Sequence, residues 1–315
     1  MEQVLAVLPE AVGELIRQLP QERKERIEEI RFRLMKPLEL IINGRPEFLL
    51  AGNGPYIIQP EDGVQLLNKL SRYSLYALEE ELKRGYITIK GGHRVGLAGK
   101  VITEKGEVKA IRDIGSYNIR IARQKIGSAD RLVSRLYEEG RWHNTLIVGA
   151  PQTGKTTLLR DLARTASAGC RTKNIPSSKV GIVDERSEIA GSVKGIPQFV
   201  LGERVDVLDA CPKAEGMMMM IRSMSPEVLI VDEIGRKEDV DAILEAMNAG
   251  VQMMMTVHGH SLEEALRRPA IFPLAEMKLF DRYVELTRTG RPGTVQGVYD
   301  RDRKPLLMEQ RSSCL

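Results

Sequence analysis

Gly149-Ala150-Pro151-Gln152-Thr153-Gly154-Lys155-Thr156 lies between an apolar run, Leu146-Ile147-Val148, and the stretch Thr157-Leu158-Leu159-Arg160. It satisfies G-x-x-x-x-G-K-[ST] in full, and its flanks read as a strand before it and a helix after it. The chemistry requires that order. Glycines let successive backbone N–H groups curl around phosphate oxygens, and the N-terminus of the following helix adds its positive end. The expected nucleotide-binding residues are Gly149, Ala150, Pro151, Gln152, Thr153, Gly154, Lys155, Thr156 and Thr157. Lys155 is expected to face solvent above the loop and reach the β- and γ-phosphates of ATP. The Thr156 hydroxyl is expected to ligate Mg²⁺.

Around this loop, short apolar runs alternate with helical stretches. Thr145–Val148 precedes a helix over Thr156–Thr165, and Val180–Val183 forms a further run. Val228–Val231 precedes a helix over Glu238–Ala249, and Gln252–Val257 one over Ser261–Arg267. Strands that are apolar on both faces and separated by helices predict a parallel sheet buried between helix layers, an α/β fold. Strand-like pieces at Tyr283–Leu286 and Gly293–Tyr299 follow.

In such a sheet, ligands bind beyond the carboxyl ends of the strands. Val228-Leu229-Ile230-Val231 ends in Asp232-Glu233. A strand buried on both faces has no use for adjacent carboxylates except at that edge. Asp232 is therefore the expected Mg²⁺ partner, and Glu233 the group that takes a proton from the attacking water or orients it. Ile182-Val183-Asp184-Glu185-Arg186 repeats the pattern, and one of Asp184 and Glu185, with Glu185 the catalytic candidate, can share the water-activating role. Met253-Met254-Met255-Thr256-Val257-His258 is a third such strand, from which Thr256 or His258 can sense the γ-phosphate. Met217–Met220 reads as helical core or interface.

The first 125 residues read as a separate, smaller α+β domain. Helices are expected over Glu10–Gln18, Gln21–Ile30, Glu61–Leu70 and Ser74–Arg84. Strands are expected over Glu29–Arg33, Leu38–Ile42, Tyr86–Lys90, His93–Val101, Val108–Ile111 and Tyr117–Arg123, with a hairpin turn at Asn43-Gly44. A linker helix over 126–140 then leads into the P-loop domain, 141–315.

The net charge is only +4, but residues 82–125 hold eleven Lys/Arg against three Asp/Glu, a net of +8. A solvated face, a nucleic-acid groove and a surface facing a neighbour's bound phosphates all fit such a block. Arg112, Arg120 and Arg123 close it, and one of them is expected to complete a nucleotide site across a subunit boundary. Tyr86 and Tyr117 are the block's aromatics, few for stacking single-stranded bases.

Composition narrows the remaining classes. Hydrophobic residues make up 42% and charged residues 29%, ordinary globular values. No run approaches the roughly 18 apolar residues of a membrane span. Glu2, Glu10 and Glu14 interrupt the opening segment, so a secretory leader is not expected. Cys170, Cys211 and Cys314 show neither disulfide nor metal spacing, which fits a reducing cytosol. A small-molecule kinase would need a lid and an acceptor pocket, and no stretch reads as either. Glu233 argues against a non-hydrolysing switch.

In the order of phosphate loop, acidic strand ends and Thr-x-His strand, the chain resembles the ATPases of type II and type IV secretion systems. It resembles more closely the stage III sporulation protein AA family of endospore-forming bacteria. The residues that carry this are Gly195-Ile196-Pro197-Gln198-Phe199, Arg204–Asp209, Cys211-Pro212-Lys213, Arg222-Ser223-Met224 and Asp232–Arg236. Tyr73–Tyr76, Gly85-Tyr86-Ile87 and Gly91–Gly96 add to them in the N-terminal half. The resemblance implies a RecA-like P-loop ATPase domain, a homohexamer, and a mother-cell location against a membrane channel of the sporulation apparatus. It also implies an acidic box at Asp184–Glu188 and a histidine box at Thr256–His260, with His258 in the catalytic position. A nucleic-acid translocase on the same core is the alternative.

Overall fold

The computed structural model describes residues 1–71, 79–289 and 292–308. The chain divides into two compact units, Met1–Arg123 and Gln124–Leu315.

The first unit opens with helices α1 (Glu2–Val7), α2 (Glu10–Arg17) and α3 (Gln21–Arg26). Strands β1 (Ile27–Arg33), β2 (Glu39–Ile42) and β3 (Arg45–Phe48) follow, then a small ribbon of β4 (Leu50–Ala51) and β5 (Gly54–Pro55). After α4 (Pro60–Ser71) and α5 (Glu79–Arg84) come β6 (Tyr86–Ile89), β7 (His93–Glu104) and β8 (Glu107–Arg120). The six longer strands form an antiparallel sheet in the order β3-β2-β1-β8-β7-β6. Ile30, Phe32, Val95 and Ile119 bury one face of it in a core with Val4, Val12, Ile16 and Leu66. Asn43 and Gly44 both take positive φ, as the expected hairpin turn requires.

Several expectations for this unit are corrected. The helix over Gln21–Ile30 stops at Arg26, because its six residues bury nothing, whereas Ile27 gains a core site by entering β1. A bulge between Ile27 and Glu29 keeps Ile27 and Ile30 on the same face. The strands expected at Val108–Ile111 and Tyr117–Arg123 are one strand, β8, paired with β7 along a long hairpin. Of the helix expected over Ser74–Arg84, Glu79–Arg84 is helical. Residues 72–78, with the Tyr73–Tyr76 motif, lie outside the described residues.

The second unit contains no helix over 126–140. Gly127 takes φ +87°, turns follow, and only α6 (Val133–Leu136) is helical before a ribbon of β9 (Tyr137–Glu138) and β10 (Arg141–Trp142). Ala129, Leu132, Val133 and Leu136 are buried in this unit's core, so the segment is part of the domain rather than a linker.

The main sheet contains β11 (Thr145–Gly149), β12 (Val180–Asp184), β13 (Val205–Asp209), β14 (Val228–Val231), β15 (Gln252–His258), β16 (Arg282–Leu286), β17 (Val295–Asp300) and β18 (Pro305–Met308). Their order is β13-β12-β14-β15-β11-β16-β17-β18. The first six are parallel, and β17 and β18 are antiparallel additions. The buried side chains alternate between two faces. Ile147, Ile182, Ile230, Met254 and Val284 meet α7 (Lys155–Ala168) on one side. Val148, Val183, Val231, Met253 and Met255 meet α8 (Lys213–Met224), α9 (Lys237–Asn248), α10 (Leu262–Leu266) and α11 (Phe272–Glu276) on the other. Period-2 alternation with both faces covered explains why these strands carry almost no polar residues until they end. Met217 and Met220 are core, while Met219 is exposed.

Candidate functional site

Four neighbouring strands, β12, β14, β15 and β11, bring the candidate residues to one edge of the sheet. Gly149 pairs in register with His258, and Val231 with Met255. The residues that follow β14, Asp232 and Glu233, therefore stand beside Thr256 and the phosphate loop.

The loop itself is tightly specified. A side chain at Gly149 would lie 2.4 Å from Thr153 Oγ1. Gly154 takes φ +94°, and a side chain there would meet the backbone of Gly293 at 2.7 Å. Thr153, buried, donates to the Ala150 carbonyl at 2.8 Å, and the Gly293 N–H donates to Thr153 O at 2.7 Å. The Arg288 guanidinium caps the Pro151 carbonyl at 3.0 Å. Gln152 takes φ +65° within this turn, and Thr157 lies in the first turn of α7.

Lys155 does not face solvent, as expected from the sequence, but is 4% exposed. Its ammonium donates to Gly149 O (2.9 Å) and Ala150 O (3.1 Å) and lies 3.1 Å from His258 Nδ1. Those three partners match its three protons. Burial pulls its pKa below the ordinary lysine value, opposed by the charges of Asp232 and Glu233.

Thr156 Oγ1 donates to Asp232 Oδ2 at 2.7 Å. Thr256 Oγ1 donates to the other oxygen of Asp232 and accepts the Glu233 backbone N–H at 2.8 Å. Thr256 is fully buried, so it is not placed to sense a ligand; it ties the two acids to β15. Glu233 holds a left-handed φ of +54°, uncommon for a residue with a side chain. Its Oε1 lies 2.8 Å from His258 Nε2 and its Oε2 2.7 Å from Arg186 Nη1. With Nδ1 accepting from Lys155, His258 carries its proton on Nε2, toward Glu233.

The second acidic strand end is divided differently. Asp184 is 2% exposed and accepts the backbone N–H groups of Glu188, Ile189 and Ala190. Burial, with the Asp209 charge, raises it to about 6 against those hydrogen bonds. Arg160 of α7 donates to the carbonyls of Glu188 and Ile189 and lies over the Phe199 ring. Asp184 and Arg160 thus clamp the 188–190 backbone by its N–H and C=O groups. Glu185 pairs with Lys213, so both its position and its partner differ from those of Glu233. Arg186, next in sequence to these acids, pairs with Glu233.

The three candidate arginines of the basic block, Arg112, Arg120 and Arg123, lie in the first unit. Arg112 is exposed, Arg120 is 3.9 Å from Glu29, and Arg123 donates to Ile27 O at 2.8 Å. Arg94 covers one face of the Tyr86 ring, and Tyr117 is buried.

Sequence reasoning missed Arg186 as a partner of Glu233, the Arg160 clamp, and the contribution of Arg288 and Gly293. The last two lie more than 130 residues beyond the loop, and no local pattern announces them. Cys211-Pro212-Lys213 stood in the sequence only as a point of resemblance; Lys213 is now the counter-charge of Glu185. Among the described residues no His, Cys, Asp and Glu cluster forms a metal cage, and no helix is long and apolar enough to cross a membrane.

Residues 1–306 match the protein family described as Sporulation stage III, protein AA, and the chain belongs to that family. It is 57% identical over 302 residues to stage III sporulation protein AA of Bacillus subtilis (strain 168), covering 96% of each chain. Among solved structures it is similar to the ATPase DotB of Legionella pneumophila, with a TM-score of 0.59, 15% identity, and 88% of this chain and 79% of that chain covered. It is also similar to the pilus retraction motor PilT with bound ADP, with a TM-score of 0.54, 17% identity, and 84% and 76% covered. The fold is that of the RecA-like secretion ATPases.

Proposed function

We propose that this sporulation stage III protein is a Mg²⁺-dependent ATPase, acting as a homohexamer that energises or assembles a membrane-associated, secretion-like channel. One observation supports this above the others. From two strand ends and one helix start, Lys155 meets His258 and His258 meets Glu233, while Thr156 meets Asp232, in direct side-chain contacts of 2.7 to 3.1 Å. The family supports the sporulation setting. The fold shared with DotB and PilT supports a nucleotide-driven motor.

The donor set fits Mg²⁺. Thr156 and Asp232 offer hard oxygens side by side, and Mg²⁺ at phosphate sites takes one or two protein ligands, completing its shell with water and phosphate. When bound there, it neutralises charge on the β- and γ-phosphates. Lys155 releases at least one of its loop carbonyls to reach a phosphate oxygen. Arg268 and Arg288 add positive charge around it. Glu233 takes a proton from water as the water oxygen bonds to the γ-phosphorus and the bond to the ADP oxygen breaks. His258 orients the Glu233 carboxylate, and Thr256 keeps the metal ligand and the base in register.

Phosphate release by the purified chain, with and without Mg²⁺, tests the activity; absence of both nucleotide binding and turnover refutes it. Stimulation by membrane partners rather than single-stranded DNA supports the channel role. For the hexamer, one of Arg112, Arg120 and Arg123 completes a neighbour's site. Lys155→Ala subunits mixed with an inactive arginine-to-alanine variant should then regain part of the activity. If no arginine variant loses turnover, that part fails.

A further inference from the structure

We propose that Arg186 is a positioning residue for the nucleotide site: its guanidinium holds Glu233 until a γ-phosphate draws it away, so the site distinguishes a nucleoside triphosphate from a diphosphate. This rests on the ATPase reading above and adds a residue, from just beyond β12, that neither the phosphate loop nor the end of β14 supplies.

Four side chains form an unbroken chain of contacts. Lys155 Nζ meets His258 Nδ1 at 3.1 Å, His258 Nε2 meets Glu233 Oε1 at 2.8 Å, and Glu233 Oε2 meets Arg186 Nη1 at 2.7 Å. Every charged group in it is satisfied by protein. Lys155 spends its remaining protons on the Gly149 and Ala150 carbonyls, and both Glu233 oxygens are occupied. With His258 on one oxygen and Arg186 on the other, neither oxygen of the carboxylate is open to accept a hydrogen bond from water. In this arrangement Glu233 is in place but restrained.

Arg186 is suited to release it. Its side chain is 59% exposed, against 20% for Glu233, so the guanidinium can leave without opening the core. The backbone beneath it is fixed. Asp184 and Arg160 clamp residues 188–190, and Ser187 donates to Asp209 at 2.7 Å. The side chain therefore swings from a rigid base. The neighbouring acid, Glu185, is already neutralised by Lys213 and does not compete for it. Arg186, Glu233, Asp232 and Lys213 line one small cleft at the sheet edge. A phosphate there presents more charge than a carboxylate and accepts two parallel N–H bonds from a guanidinium. Exchange of Arg186 from Glu233 to phosphate frees one oxygen of the base as the substrate arrives. A diphosphate, lacking the terminal group, leaves the pair intact.

The test is equilibrium binding of fluorescent ADP and of a non-hydrolysable fluorescent ATP analogue to the full chain with Mg²⁺. Arg186→Ala should weaken the triphosphate about tenfold and leave ADP affinity within about twofold. Arg186→Lys should recover part of the difference, because it keeps the charge but not the two-point geometry. A purely structural ion pair would move both affinities together or neither. Equal loss for both nucleotides, or an unchanged ratio in a variant that binds ADP normally, overturns the role of Arg186 alone. A wild-type chain that binds neither nucleotide overturns the ATPase reading, and this inference with it.

Discussion

Thr156 Oγ1 and Asp232 Oδ2 are joined by a 2.7 Å hydrogen bond that links the first turn of α7 to the end of β14. Seventy-six positions separate the two residues, and each is a hard oxygen donor. Their contact places two Mg²⁺-compatible ligands together before any ligand arrives. Asp232→Asn should weaken Mg²⁺-dependent nucleotide binding by at least about 10-fold. Binding measured in chelator should change little. A Mg²⁺ titration of nucleotide fluorescence separates the two, and equal loss in chelator would assign Asp232 a structural role.

Glu233→Gln should retain nucleotide affinity while turnover falls by about 10²–10⁴-fold. The amide keeps the shape of the side chain but cannot accept the proton. Single-turnover phosphate release beside equilibrium binding provides the check. Wild-type turnover in the variant would move the base elsewhere, with Glu185 the next acid to test.

Lys155→Ala should do more than remove a phosphate contact. The ammonium ties Gly149, Ala150 and His258 together, so its loss frees two loop carbonyls and one ring nitrogen. Nucleotide binding should fall to the detection limit. Hydrogen exchange should speed up over residues 149–156 and leave the β11 core protected. Unchanged turnover would refute the nucleotide site.

Asp281 offers a test of stability and its pH dependence. It is 4% exposed and accepts the Asn144 N–H at 3.0 Å and Arg301 at 2.5 Å. Burial would raise its pKa, but His143, the Asn144 N–H, Arg301 and the Arg141 charge outweigh it and hold the carboxyl well below the usual range. A depressed acid contributes stability above its unfolded pKa, lost as pH falls toward the folded value. Asp281→Ala should cost about 2–3 kcal/mol at pH 7. In urea titrations the gap to wild type should shrink below about pH 4. A gap that widens on acidification contradicts this account.

Asp184 should show the opposite slope. Its pKa is raised to about 6, so the folded chain binds this proton more tightly than the unfolded one. The associated stability is complete below about pH 4 and is lost as pH rises through about 6. Asp184→Asn removes the titration, so the difference in unfolding midpoint between pH 4 and pH 7 should change in the variant's favour at pH 7. An identical pH profile in both proteins would show that Asp184 does not titrate in this range.

Much of the second unit was legible in one dimension because its signals are local. The phosphate loop needs glycines at fixed offsets between a strand and a helix. A strand buried on both faces must be apolar until it reaches the ligand edge, which places Asp232-Glu233 and His258 from residue type alone. The hairpin at Asn43-Gly44 is equally local, since its two positions demand positive φ. Where the pattern was ambiguous, burial arbitrated. Ile27 entered β1 because a core position was available to it, and Ala129–Leu136 packed into the second unit's core instead of forming a linker helix. The pairings inside the site had no local signal at all. Nothing near Lys155 shows that its ammonium turns inward onto Gly149 and Ala150, and nothing near Arg186 shows that it reaches Glu233 rather than the acids beside it. Those contacts depend on the strand order β12-β14-β15-β11, which joins residues 47 to 103 positions apart at one sheet edge. A side chain's type constrains what it can bind, but its partner is set by which strand ends the packed sheet brings together.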